Sequence, residues 1–131
     1  MKKFRAAIVT MAAAASLAVM VPSSAQAAEE CKSAGQAYIC DFGITTHKMP
    51  DGGKQVFAVA PQRNVVTRWE QSDGSWSHWE SMSGIVDSKV RCFDDVGPGK
   101  TRIVADMNGG VWERVRLESG TWTPWHEVNP G

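Results

Sequence analysis

The strongest constraint on this chain is its likeness to itself. Slid by 46 residues, Gly53-Lys54 meets Gly99-Lys100, Val65 meets Val111, and Arg68 meets Arg114. Gly74 then meets Gly120, Trp76 meets Trp122 and Trp79 meets Trp125, all without a gap. Between these lie conservative matches: Phe57 with Ile103, Ser75 with Thr121, Ser77 with Thr123. Upstream, Ile39 meets Ile85 and Asp41 meets Asp87. The six tryptophans of the chain all fall between Trp69 and Trp125, inside the repeated stretch. A period of this length belongs to arrays in which each supersecondary unit needs a neighbour to bury its apolar face. Two copies are visible, at about 37–82 and 85–128, and the chain has no room for a third.

Within each copy the apolar residues follow the alternation of a strand, not a helix. Strands are predicted at about 37–45, 54–60, 64–71 and 76–82, and again at about 85–93, 101–106, 111–118 and 122–128. Breaker-rich loops, Met49-Pro50-Asp51-Gly52-Gly53 and Val96-Gly97-Pro98-Gly99, separate the first two strands of each copy. Ser72-Asp73-Gly74 and Glu118-Ser119-Gly120 separate the last two, where glycine suits a positive φ. The expectation is an all-β domain of two four-stranded antiparallel meanders, each with the outline of a propeller blade. On the third strands Val65, Thr67 and Trp69 share one face, and Trp112, Arg114 and Arg116 share one face. Neither face of either strand is cleanly polar, so both sides of each sheet are expected to be at least partly covered. Two blades cannot close a ring. Either copies of the chain assemble cyclically, a dimer giving four blades and a trimer six, or the two sheets fold onto each other as a small monomeric sandwich.

The N-terminus has a different character. Lys2, Lys3 and Arg5 precede an apolar run from Ala6 to Val21, followed by Ala25-Gln26-Ala27. This is the pattern of a secretory signal peptide over residues 1–27, too short for a comfortable membrane span. Cleavage after Ala27 takes 27 of the 131 residues and leaves a mature domain of 104, residues 28–131, of which 28–53 form an N-terminal segment with the first strand. It also removes three of the 14 cations, leaving eleven against 14 acids, a net charge of about −3. That balance argues against nucleic acid and against docking on anionic lipid, and the expected location is extracellular. Ala28-Glu29-Glu30 ahead of Cys31 does not resemble the small apolar run before a lipidated cysteine. In an oxidising compartment Cys31, Cys40 and Cys92 leave one thiol over. Cys31 with Cys40 is the favoured pair, nine positions apart around Ser33-Ala34-Gly35; Cys40–Cys92 and Cys31–Cys92 are the alternatives.

The segments Val56-Phe57-Ala58-Val59, Val65-Val66-Thr67-Arg68-Trp69 and Gly74-Ser75-Trp76-Ser77-His78-Trp79-Glu80, with their second-copy partners ending in Trp122-Thr123-Pro124-Trp125, resemble blades of the bacterial β-propeller lectins, which are related to the tectonins. The likeness covers about residues 54–82 and 100–128. It implies stacked blades, rings of about seven in the family, and sugars of the fucose-like or methylated kind held between blades. Two copies, and the cysteine-bearing start, are where this chain departs from that pattern.

Carbohydrate binding also has a physical rationale of its own. A pyranose ring presents an apolar C–H face that stacks on indole, while its hydroxyls seek planar donors and acceptors. Candidate contacts are Trp112, Arg114, Arg116, Arg68, Trp76, Trp79, Trp122, Trp125 and His78. For Trp112 and for both Trp-x-x-Trp pairs, blade packing competes with ligand contact; members of a pair, three apart in an extended strand, are expected to face opposite sides. Trp69 is expected in the core, His47 in a loop, and His78 and His126 on the solvated surface, with a hydrogen bond to sugar as their alternative role. No Gly-x-Ser-x-Gly, His-Glu-x-x-His or Gly-rich phosphate loop occurs, and Glu70, Glu80, Glu113 and Glu127 are scattered, so no enzyme, cofactor or metal site is expected. Asp94-Asp95 lacks the spaced oxygens of a calcium loop. The leading expectation is a lectin-like module with a glycan partner, assembly of copies being favoured over a monomeric sandwich; the alternative is a secreted adaptor or inhibitor that binds protein, part of a larger exported complex.

Overall fold

The structure is a computed structural model, and it describes residues 29–129. The expected signal peptide, residues 1–27, lies outside the described residues. Ten strands and no helix are found among them. Strands β1 (Glu30–Ser33) and β2 (Gln36–Ile39) form a hairpin turning through Ala34-Gly35, both at positive φ. Strands β3 (Thr45–Lys48), β4 (Lys54–Val59), β5 (Val65–Trp69) and β6 (Glu80–Ser83) form one four-stranded antiparallel sheet in chain order. Strands β7 (Arg91–Phe93), β8 (Thr101–Met107), β9 (Gly110–Arg116) and β10 (His126–Glu127) form a second.

The outer strands are shorter than the sequence pattern predicts. The first strand of the first sheet begins at Thr45, and most of the predicted 37–45 stretch is spent on β2 and the turn Cys40–Gly43, where Gly43 N bonds the Ile39 and Cys40 carbonyls. The last strand starts at Glu80, not at residue 76. Trp76 makes only an isolated bridge to Glu70, and Trp122 makes its equivalent to Arg116. After each bridge the chain leaves the ladder, held by Ser77 N to the Trp69 carbonyl and Thr123 N to the Val115 carbonyl, both 2.8 Å. Ser77 Oγ accepts from Trp69 N, and Thr123 Oγ1 accepts from Val115 N.

These bonds recur at an interval of 46 residues, and so do the pairs Thr67↔Glu80 and Glu113↔His126. The second strand breaks the interval. Phe57 pairs with Thr67, whereas Ile103 pairs with Arg114, not Glu113. The cause lies in the flanking turns. The β4–β5 turn passes through Pro61-Gln62-Arg63, closed by Ala60 N to the Asn64 carbonyl, while β8–β9 turns in two residues, Asn108-Gly109, both at positive φ. The loop before β8 is correspondingly one residue longer. A displacement of one residue turns a strand's side chains to the other face. The gap-free match of Phe57 with Ile103 is therefore corrected: by pairing with the neighbouring strands, Phe57 corresponds to Val104.

The two sheets pack on one another. Phe57, Val59, Val65 and Met82 from the first meet Ile103, Ala105 and Met107 from the second, with Val86 and Val90 of the connection and Ile39 of the hairpin. Phe57 and Ile103 are fully buried, and Phe57 meets Trp122 edge-on at 6.0 Å. Removing a ring in such a place costs about 3–5 kcal/mol. The first strands of the sheets are also linked, by Thr45 Oγ1 donating to the Val90 carbonyl at 2.6 Å and by His47 Nε2 to Asp94 at 3.0 Å. His47, expected in a loop, thus lies in strand β3. The His47 bond, helped by one from Thr101, holds the Asp94 carboxyl below its ordinary value. Asp95 is taken instead by Arg102.

A disulfide joins Cys31 to Cys40, Cα–Cα 5.2 Å, and Cys92 is free. The bond locks the hairpin whose Tyr38 and Ile39 pack on opposite faces of the first sheet, Ile39 in the inter-sheet core and Tyr38 with Ala58, Ala60 and Val66. Replacing both cysteines by serine is expected to cost about 2–4 kcal/mol in urea denaturation. Burial, with a smaller contribution from Asp94, pushes the Cys92 thiol up to about 12. At pH 8 its alkylation should then be limited by unfolding and accelerate through the urea transition. The fold holds the neutral thiol, so its contribution to stability is complete below the unfolded value and is lost as pH rises through the folded one.

Candidate binding site

Away from the packed centre the two sheets diverge and enclose a cleft of about 380 Å3, within the range of about 300–1,000 Å3 usual for small-molecule sites. Its walls come from opposite sheets. Trp69, at the end of β5, stands on one side, and Trp122, bridged to Arg116 beyond β9, on the other. Arg114 and Arg116 enter from the second sheet; Gln55, Thr67, Glu70, Glu80 and Met82 come from the first; Met49, Asp51 and Gly53 of the β3–β4 loop close one end.

The polar groups are held before any ligand arrives. Gln55 and Thr67 are buried, although polar, because Gln55 Nε2 donates to Thr67 Oγ1 at 3.0 Å and Thr67 Oγ1 donates to the Val56 carbonyl at 2.7 Å. That arrangement leaves the Gln55 amide oxygen as an acceptor. Arg114 donates through Nε to the Thr123 carbonyl at 2.6 Å and through Nη1 to the Met82 carbonyl at 2.8 Å, so it spans the two sheets. Burial pushes its guanidinium below the ordinary arginine value. Trp125 Nε1 reaches the same Met82 carbonyl at 2.8 Å. Gly84 allows this approach: at φ 92° it has no Cβ, and one would lie 3.2 Å from Trp125 Nε1. Arg116 is freer, its nearest acid Asp51 Oδ2 at 3.7 Å.

The structure thus brings Arg114, Arg116 and Trp122 of the expected residues into one cleft. Trp112 packs against the inter-sheet core, opposite Glu127 in the ladder, and Trp125 packs there too. Arg68, Trp76 and Trp79 lie on the opposite face of the first sheet, the Arg68 guanidinium 4.9 Å from the Trp76 ring centre and 5.3 Å from that of Trp79. His78 is exposed, and His126 Nε2 meets Glu113 at 2.8 Å. The expectation that each Trp-x-x-Trp pair splits between faces is corrected. Trp76 and Trp79 both contact Arg68, and Trp122 and Trp125 both pack against one core, because the residues between them are outside the ladder and do not alternate. Trp69, read as core, is a cleft wall. The legible signal for the cleft was the polarity of Gln55 and Thr67 at inward positions of an otherwise apolar sheet.

No protein-family model matches the chain, and a search of curated proteins finds no match.

The two arginines differ in what removal should do. Arg114→Ala strips donors from two carbonyls between and within the sheets and should cost about 2–4 kcal/mol in urea denaturation. Arg116→Ala should change stability by no more than about 0.5 kcal/mol.

Proposed function

We propose that the protein is a secreted, lectin-like carbohydrate-binding module whose ligand occupies the cleft between two blade-like sheets. The observation that carries this reading is the pairing of two indoles from opposite sheets with guanidinium and amide groups in a single cleft. A pyranose slid between Trp69 and Trp122 would stack its C–H face on indole, while its hydroxyls donate to the Gln55 oxygen and to Glu70 or Glu80 and accept from Arg116 and the remaining Arg114 N–H groups. Basic groups (Arg114, Arg116, Lys54) and acidic ones (Asp51, Glu70, Glu80) are equal in number around the cleft, which favours a neutral sugar over a uronic or sialic acid. Export is supported by the signal-like N-terminal sequence and by the Cys31–Cys40 disulfide, which fits an oxidising compartment.

Titration of tryptophan fluorescence with a panel of neutral monosaccharides tests the reading. A saturable change is expected, and Trp69→Ala or Arg116→Ala should weaken it at least about tenfold, which is about 1.4 kcal/mol, with little change in melting. No response to any sugar at millimolar concentration from folded protein overturns it.

A second reading, a secreted protein-binding adaptor or inhibitor, rests on apolar side chains exposed in the second half of the chain: Ile85, Phe93, Val111 and Leu117. A stoichiometric, unrelated protein recovered with it from culture fluid would favour that reading.

A further inference from the structure

Gln55 and Thr67 are the buried polar side chains of the first sheet, 4% and 3% exposed, and both line the cleft. Burying an amide is costly unless its groups are paired, and here the pairing is incomplete by one atom. A threonine hydroxyl has a single proton to give. Thr67 Oγ1 gives it to the Val56 carbonyl at 2.7 Å, so toward Gln55 it can only accept. Gln55 must therefore turn its amino group to Thr67, which it does at 3.0 Å, and its amide oxygen is left on the other side. That oxygen has no donor among the described residues, yet it is not shut away from the surface as Trp112 Nε1 is. Since Gln55 lines the cleft, a donor for it comes from the cleft.

The second sheet shows that the repeat does not require such an oxygen. Gln55 pairs with Trp69 and Arg102 with Val115, and Trp69 and Val115 hold equivalent places in the two units. Gln55 and Thr67 thus correspond to Arg102 and Glu113. Arg102 Nη1 donates to one Glu113 oxygen at 3.1 Å, and the other meets His126 at 2.8 Å. There the pair is closed on itself; in the first sheet it is open to the cleft. The other acceptors of the cleft differ in depth. Asp51 and Glu80 are exposed, so water replaces a lost ligand hydroxyl there at little cost, whereas Gln55 sits at the buried base.

We propose that Gln55 sets the specificity of the cleft: it admits a neutral sugar that brings a hydroxyl or amide N–H to Gln55 and rejects the same sugar deoxygenated or O-alkylated at that position. The inference rests on the carbohydrate reading above. A ligand that displaces solvent from the base of the cleft must supply the donor itself, or the oxygen is left buried and unpaired. A ring hydroxyl supplies it; a methyl ether or a C–H group does not. Sites of this kind discriminate more strongly than apolar pockets, because the penalty falls on the protein's own buried group.

Tryptophan fluorescence titrations with the mono-deoxy and mono-O-methyl derivatives of the tightest-binding hexose test the proposal. At one ring position both derivatives should bind at least about tenfold more weakly than the parent. In Gln55→Met, close in volume and without the oxygen, the parent should weaken and the parent-to-deoxy ratio at that position should fall to within about twofold. Thr67→Val frees the amide to turn its N–H groups to the cleft, so the methyl ether should gain on the parent; a merely structural role would weaken every sugar alike. The orientation itself is read without ligand. In the unmodified protein the Gln55 side-chain amide protons should show nuclear Overhauser contacts to the Thr67 β- and γ-protons. Sugar binding whose ratios ignore Gln55→Met, or amide protons without contacts to Thr67, overturns the proposal and leaves the carbohydrate reading standing. No response to any sugar from folded protein removes that reading and the proposal with it.

Discussion

The Met82 carbonyl is the hinge of the molecule. It belongs to the first sheet, yet apart from the adjacent Ser83 hydroxyl its donors, Arg114 and Trp125, belong to the second. A carbonyl at the end of an edge strand would ordinarily be left to water; here the turn at Ser83-Gly84, both residues at positive φ, aims it across the interface. The same guanidinium that takes it also lines the cleft. Sheet packing and site geometry thus share a side chain, and the cleft cannot be loosened without loosening the stack.

That the Val65 face of the first sheet meets the Arg114 face of the second follows from the alternation of side chains along a strand. Because β8 is displaced by one residue against the repeat, its apolar set, Ile103 and Ala105, faces the first sheet, not solvent. Without that displacement Val104 and Asp106 would point inward, and Asp106, which pairs with Arg91 at the surface, would be drawn toward an apolar core. One residue taken out of the β8–β9 turn and one added before β8 produce this result. The tandem units are alike in hydrogen bonding and unlike in which side of the second strand they bury.

Much of this was legible beforehand. Antiparallel four-stranded sheets, the turns at Gly74 and Gly120, and the Cys31–Cys40 pairing follow from alternation, turn chemistry and spacing. The register of β8 was not, because Phe57 and Ile103 are both large and apolar, and a gap-free match hides compensating insertions. The side of the Trp-x-x-Trp residues was not, because alternation holds only inside a ladder and Ser77-His78 and Thr123-Pro124 lie outside one. Trp69 was read as core since it faces away from its charged neighbours Arg68 and Glu70; only the opening between the sheets at that end, a tertiary property, turns that face into a cleft wall.

The account stands or falls on the stacking of the first sheet's Val65 face against the second sheet's Arg114 face. Nuclear Overhauser contacts from the six indoles test this most directly. The Trp125 Nε1 proton should show contacts to the Gly84 α-protons, and the Trp122 ring to the Phe57 ring. Contacts of Trp125 and Trp122 confined to their own sheet, with Trp76 and Trp79 touching the second sheet instead, would contradict it.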